Sequence, residues 1–483
     1  MMNRPRVTAA MPARRPSRCR LTAVCLSGLL SGLAHAQVLQ EWSHSAPFGD
    51  ASGAVAMGDT LMFVNNNEDA VLRLYSRYPV GGCMAPLYSL NVQPSLGFTG
   101  GDLTADLESA VRLVDGNGTR IYWLGSLGNS ASGNLRPNRS RIFATQVLGD
   151  GTGVPPYTLS YVGRYDRLRD DVIAWDVNNL HGLGANYFGL AASAAAGVGP
   201  KLVNGFNVEG LSIAPNGTTA YIGCRTPLVN GSGPTTSTSP RTHALIIPLL
   251  NMPALVAGNP TAGPGAAQFG APIVLNLGSR GIRSLDFAYP GHYLLTAGPA
   301  DNVSNPPAAP LNFRLYTWSG DALDQPVERA TTFAATYSPE ACILPNGPIG
   351  SSTVAQFIHD DGGSTCWRST TSYVGIPAAL VGVPPEPWAA DGVRFSRAPA
   401  PSPARGVVTF AIEVPRRVWV DVTIHDVSGR RIAALWHGPL EWGEHAFAWD
   451  GAASPRGPSP PGLYWVRVRA GETERSQAFA RIP

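Results

Sequence analysis

The feature that most constrains this chain is a strand–turn–strand unit that recurs with a polar residue at one fixed place. It is clearest at Phe206-Asn207-Val208-Glu209-Gly210-Leu211, followed by Pro215-Asn216-Gly217 and Ala220-Tyr221-Ile222-Gly223. The same layout returns at Glu108-Ser109-Ala110-Val111, Asp115-Gly116-Asn117-Gly118 and Ile121-Tyr122-Trp123-Leu124-Gly125. Weaker echoes begin at Ser52, Arg283 and Glu340. Short apolar runs bounded by Gly, Asn and Pro signal strands and tight turns. Their repetition with one polar position held in register signals a radial repeat fold. Ser52 to Glu108 is 56 residues and Arg283 to Glu340 is 57, but Glu108 to Glu209 is 101. One repeat with a decayed motif is therefore expected near Tyr157 to Leu190. The expectation is an all-β chain with a β-propeller of six blades, or five if the middle interval is an insertion.

Composition agrees: Gly 54 and Pro 43 with only 14% charged residues suit many turns and short strands. The start of the chain reads differently. Arg14, Arg15, Arg18 and Arg20 precede an apolar run from Leu21 to Leu33 and then Ala34-His35-Ala36. A basic region, a short apolar core and a small-x-small site predict a secretory signal peptide over residues 1–36. Six arginines and no acid leave with it, so the net charge turns from +3 to about −3. That removes any argument from basicity to nucleic-acid binding, and no interleaved basic–aromatic patch is present. No transmembrane segment is expected after cleavage, and an extracellular or periplasmic location follows. In an oxidising compartment Cys83, Cys224, Cys342 and Cys366 can pair. Cys342–Cys366 is the expected bridge, because it closes a local loop within the last repeat.

The propeller is expected over residues 37–383. Pro384-Pro385-Glu386-Pro387 and Pro399, Pro401 and Pro403 mark a linker over residues 384–402. Beyond it Val407-Val408-Thr409-Phe410, Val420-Asp421-Val422-Thr423-Ile424 and Tyr464-Trp465-Val466-Arg467-Val468 alternate like strands of a small antiparallel sandwich over residues 403–483.

Two stretches resemble known families. Asp106-Leu107-Glu108, Gly133-Asn134-Leu135-Arg136-Pro137-Asn138-Arg139, the Glu209 motif, Gly281-Ile282-Arg283-Ser284 and Pro339-Glu340-Ala341 resemble the bacterial family called domain of unknown function 3616. That resemblance implies a fold and no established activity. The Glu-Gly-Leu style of repeat more distantly resembles the propellers of phytase-like esterases, which implies calcium-dependent phosphoester chemistry. Ile424-His425-Asp426-Val427-Ser428-Gly429-Arg430-Arg431, Trp449-Asp450-Gly451 and Pro461-Gly462-Leu463-Tyr464 resemble the immunoglobulin-like domain of the flagellar hook-assembly protein. Such domains in exported proteins often sit beside, or serve as, a secretion or attachment tail.

In a propeller the first strand of each blade lines the central channel, so Ser52, Glu108, Glu209, Arg283 and Glu340 are expected to form a ring. Converging carboxylates need a cation, an arginine counter-charge or proton uptake. Arg283 offers the second, and calcium held by Glu108, Glu209 and Glu340 offers the first. Asp50, Asp106 and Asn207 lie two residues before ring positions. Arg136, Arg139 and Arg225 have the fork that suits phosphate or carboxylate groups. The plainer alternative is that these arginines pair internally with Glu108 or Glu209. His359-Asp360-Asp361 offers a base or metal ligands, yet Asp-Asp-Gly after a strand is first a turn. No Gly-x-Ser-x-Gly elbow, His-Glu-x-x-His pair or phosphate-binding loop is present. The expected function is thus an exported, non-catalytic protein binding a small-molecule or cell-envelope ligand at the channel mouth. The alternatives are a calcium-assisted phosphoester or ester hydrolase, with Arg283 as anion clamp, and a structural cell-surface protein.

Overall fold

The repeated units fold into antiparallel sheets of four short strands. The computed structural model describes residues 38–374 and 393–482, apart from residues 48, 290, 302–312, 335, 346, 351, 363, 364, 415–417, 441, 442, 454–456, 471 and 472. The expected signal peptide and the first part of the expected linker lie outside the described residues.

A leading strand β1 (Val38–Ser45) precedes a first sheet of β2 (Ala51–Met57), β3 (Leu61–Asn66), β4 (Val71–Ser76) and β5 (Tyr88–Asn91). The second sheet is β6 (Leu107–Asp115), β7 (Gly118–Gly125), β8 (Ile142–Leu148) and β9 (Thr158–Tyr165). Helices α1 (Leu168–Val177) and α2 (Leu190–Ser193) follow. The third sheet is β10 (Asn207–Ile213), β11 (Ala220–Thr226), β12 (Ala244–Leu249) and, after α3 (Met252–Ala257), β13 (Ile273–Leu275). The fourth is β14 (Gly281–Tyr289), β15 (His292–Gly298), β16 (Arg314–Trp318) and β17 (Val327–Thr332). The fifth is β18 (Pro339–Ile343), β19 (Val354–His359), β20 (Cys366–Tyr373) and, as outermost strand, β1. Asx side chains make the tight turns. Asn216 Oδ1 accepts from the Thr218 and Thr219 amides at 3.1 and 2.9 Å, and Asp115 Oδ1 from the Asn117 amide at 2.7 Å.

Among the described residues before 375 there are thus five such sheets, and the sixth expected near Tyr157 to Leu190 is not formed. That interval completes the second sheet with β9 and then turns helical. Leu168, Val172 and Trp175 of α1 bury into one cluster with Phe188, Leu190 and Phe206. The Asp171 carboxylate accepts from Tyr165 Oη at 2.6 Å and from the Gly265 and Ala267 amides at 2.6 and 2.8 Å. It thereby anchors the Gly/Pro/Ala-rich excursion 259–272 against α1.

The first strands pack side to side in a closed ring: β2 on β6, β6 on β10, β10 on β14, β14 on β18, and β18 back on β2. This closed set of antiparallel sheets is consistent with the blades of a β-propeller. The ring is shut by β1, which pairs antiparallel with β20, Trp42 opposite Ser369. On its other side β1 meets the loop after β4, with Ser45 N donating to Met84 O at 2.7 Å and Met84 N to Ser43 O at 3.2 Å. A disulfide joins Cys83 of that loop to Cys366 of β20, with Cα atoms 5.9 Å apart. The expected Cys342–Cys366 bridge is therefore corrected. Cys342 lies on the innermost strand and Cys366 two strands further out, at least about 10 Å away at the usual strand spacing and beyond disulfide reach. Cys342 and Cys224 are free and buried.

The C-terminal segment forms two sheets. One is β21 (Arg394–Ala400), β22 (Val408–Val414) and, beyond β23 (Val418–Asp426) and β24 (Arg431–Leu440), β25 (Gly443–Trp449). A short arm, β26 (Ala452–Ala453) with β27 (Gly457–Pro458), leads to β28 (Gly462–Ala470) and β29 (Thr473–Arg481). The second sheet has the order β24-β23-β28-β29. Phe410, Ile412, Val422, Ile424, Trp449, Tyr464, Val466 and Phe479 share one core. The stretch expected as linker up to residue 402 thus contains a strand of this unit. Pro399 is accommodated because β21 is an edge strand, where a missing N–H costs no ladder bond. Trp449 packs edge-on to Phe479, its ring 5.7 Å away, inside this core.

Candidate functional site

Each of the five ring positions sits on an irregularity of the first-strand pairing. The register of β2 with β3 shifts between Ala51 and Gly53, and that of β6 with β7 between Leu107 and Ser109. The corresponding shifts fall between Val208 and Gly210, Ile282 and Ser284, and Pro339 and Ala341. The residue skipped is Ser52, Glu108, Glu209, Arg283 or Glu340. A β-bulge leaves one residue unpaired and re-aims its side chain, which is how the repeated polar residue departs from the sheet. The next residue is small in every case: Gly53, Ser109, Gly210, Ser284 and Ala341. The reason is close approach of neighbouring first strands. A Cβ on Gly53 would stand 3.0 Å from the Ser109 Cα, and one on Gly210 2.9 Å from an Ile282 methyl.

The structure places Glu209, Arg283 and Glu340 in one buried ion network, exposed by 3, 6 and 6%. Arg283 Nε lies 2.7 Å from Glu209 Oε2 and donates to Glu340 Oε2 at 2.8 Å, while its Nη2 donates to Glu340 Oε1. Arg225 Nη1 and Asn207 Nδ2 donate to Glu209 Oε1 at 2.9 and 3.0 Å. Ser338 Oγ supports Glu340 Oε1 at 3.2 Å. Two arginines thus balance two carboxylates, and the third is left over. Glu108 makes no hydrogen bond among the described residues. Burial, then Asp106, Glu209 and Glu340, push its carboxyl well above the ordinary range, and Arg283 offsets this only in part. Burial also opposes ionisation of Glu209, but Arg283 and Arg225 overcome it and hold that carboxyl low. Glu340 is pushed up to about 7, chiefly by burial and with Glu209 adding to it, against the pull of Arg283.

The remaining expected site residues lie nearby but face protein partners. Arg139 Nη1 holds Asp106 Oδ2 at 2.5 Å, and Arg136 Nε lies 3.4 Å from Asp102 Oδ2. His359 is fully buried, bonded through Nε2 to Thr370 Oγ1 at 2.8 Å, and burial lowers its pKa to about 3. Asp361 takes Arg368, and Asp360 bridges to Asp50, whose carboxyl burial and Asp360 raise to about 6. Among the described residues no group of three His, Cys, Asp or Glu side chains is arranged to hold a metal ion. The expected calcium set of Glu108, Glu209 and Glu340 does not fit that role, since two of the three are taken by Arg283.

The opposite ends of the same five strands enclose a cavity of about 650 Å³. Ala54, Ala110, Leu211, Leu285 and Cys342, two residues past each ring position, line it together with Asp286. Its walls are mostly apolar. Asp286 is half-buried there, accepts from Ser284 Oγ at 2.7 Å and is pushed up to about 7 by burial, with the Ser284 bond partly opposing. Nothing in the sequence reading pointed to this end, because its residues are ordinary strand residues. The available signal was the set of positions two beyond each repeated polar residue.

No protein-family model matches the chain, and no curated protein matches it. Several solved structures align with the chain at low similarity. PorZ, an essential bacterial surface component of the type-IX secretion system of Porphyromonas gingivalis, shares 14% identity over 90% of this chain, with a TM-score of 0.24. This chain spans 51% of PorZ, about half its length. An exo-β-1,3-galactanase from Clostridium thermocellum shares 10% identity over 90% of this chain and 82% of its own, at a TM-score of 0.35. Virginiamycin B lyase from Staphylococcus aureus shares 7% over 69% of this chain and 99% of its own, at 0.27. None of these likenesses is close enough to bear on what the chain binds.

Proposed function

We propose that the protein is an exported, non-catalytic binding protein: a five-bladed β-propeller that takes a small ligand in its channel cavity, followed by an immunoglobulin-like module. The observation that carries this is the 650 Å³ cavity walled by all five first strands, a volume in the range of small-molecule sites. The bulge ring at the other end serves as a scaffold, because its arginines and two of its carboxylates satisfy each other. The Cys83–Cys366 bridge supports an oxidising location, and among the described residues no helix is long and apolar enough to cross a membrane.

The test uses benzyl alcohol as a neutral probe, titrated by calorimetry into the wild-type protein and Ala110→Phe. Ala110 lines the cavity, so the added ring should abolish binding. Equal binding by both proteins would place the probe elsewhere and end this reading.

A further inference from the structure

We infer that the cavity's ligand is an organic cation with an apolar body, held through its charge by the Asp286 carboxylate. This rests on the cavity being the ligand site and adds the chemistry of what enters it. Asp286 is on β14, where the first strands have left the polar ring and become apolar. Its sole hydrogen-bond partner among the described residues is Ser284 Oγ, and no arginine balances it there. A carboxylate on a cavity wall with no arginine beside it favours a cation from outside.

The arginines that line the cavity hydrogen-bond to neutral oxygens away from Asp286. Arg112 of β6 donates to Ala56 O at 3.2 Å. Arg77 donates to Gln356 Oε1 at 2.8 Å and to Gly58 O at 3.4 Å. Both thus lean on the end of β2 or on β19, not on β14. Asp59 lies in the β2–β3 turn and adds a second negative group to the lining. Cys342 of β18 faces Asp286 as a neutral thiol, held protonated by burial and by that carboxylate. Phe287, next to Asp286, lines the cavity and is 42% exposed.

Burial raises the Asp286 carboxyl to about 7. Because the anion is the form that holds a cation, affinity should rise about tenfold between pH 6 and pH 8. A quaternary ammonium does not titrate, so the change reports the protein.

Three matched probes test this by calorimetry: benzyltrimethylammonium, benzyl alcohol and phenylacetate, with wild-type protein and Asp286→Asn. The expected result is that wild type prefers the cation at pH 8 by about tenfold or more. That preference shrinks at pH 6 and disappears in Asp286→Asn, while benzyl alcohol binds both proteins alike and shows the variant to be folded. Equal binding of cation and alcohol by wild type, or a preference for phenylacetate, would overturn the cation assignment and leave the cavity reading standing. A cation preference that persists undiminished in Asp286→Asn overturns it as well. Failure of all three probes to bind would overturn both.

Discussion

Replacing Arg283 with Met removes the cation shared by two buried carboxylates while keeping a long apolar side chain in place. Glu209 retains Arg225 and Asn207, at 2.9 and 3.0 Å. Glu340 loses both of its contacts to the guanidinium and keeps only Ser338 Oγ at 3.2 Å. Breaking a buried pair by removing one partner costs about 3–5 kcal/mol, because the other charge is left uncompensated. Most of that loss should fall on Glu340, since Glu209 keeps a second arginine. The penalty should therefore depend on pH. Without Arg283 the folded-state pKa of Glu340 rises further above its ordinary value of 4.5, and a raised carboxyl loses stability as pH rises through that interval. Urea unfolding at pH 8 should show a loss of about 3–5 kcal/mol, with a smaller loss at pH 5. Adding Glu340→Gln to Arg283→Met should recover most of it at pH 8. A single variant within about 1 kcal/mol of wild type at pH 8, or a double variant no better than the single, would refute a ring held by arginine counter-charge.

Three other outcomes follow from the same geometry. Glu108→Gln should be more stable than wild type at pH 8 and about equal at pH 4, because the raised carboxyl loses stability only as pH climbs above 4.5; a urea series across pH checks it. Cys83→Ser opens a covalent link across 283 residues and should cost about 3–5 kcal/mol. Limited proteolysis should then cut first near β1, the strand which that bridge helps to hold. Calcium at millimolar concentration should leave the melting temperature unchanged, since two of the three carboxylates expected as ligands, Glu209 and Glu340, are taken by Arg283; a clear upward shift would restore the metal reading.

How much was legible in the sequence depends on what each residue does. The ring position was legible because a bulge releases one side chain per sheet, and a polar residue there interrupts an apolar strand five times in register. Arg283 among glutamates already suggested counter-charge, and the structure realises it with Arg225 as a second cation. Six sheets are the first expectation and five the alternative, and the described residues form five for a physical reason. Residues 158–165 have the alternation of any strand, and only pairing with β8 shows that they end one sheet instead of starting another. The disulfide was misread because sequence distance measures loop length, whereas β1 closes the ring and brings Cys83 beside Cys366 from 283 residues away. The cavity was invisible for the opposite reason. Ala54, Ala110, Leu211 and Leu285 look like core residues, and they come to line an open space only where the five first strands are brought together around it.

The division of labour between the two ends of the channel can be tested by methyl NMR on the mature protein during titration with benzyltrimethylammonium. If the ring is scaffold and the cavity is the site, the methyls of Ala54, Ala110, Leu211 and Leu285 should shift together and saturate. Those beside the ring, Val208 and Ala341 among them, should stay still. Shifts centred on Val208 and Ala341, with the cavity methyls unmoved, would contradict the account.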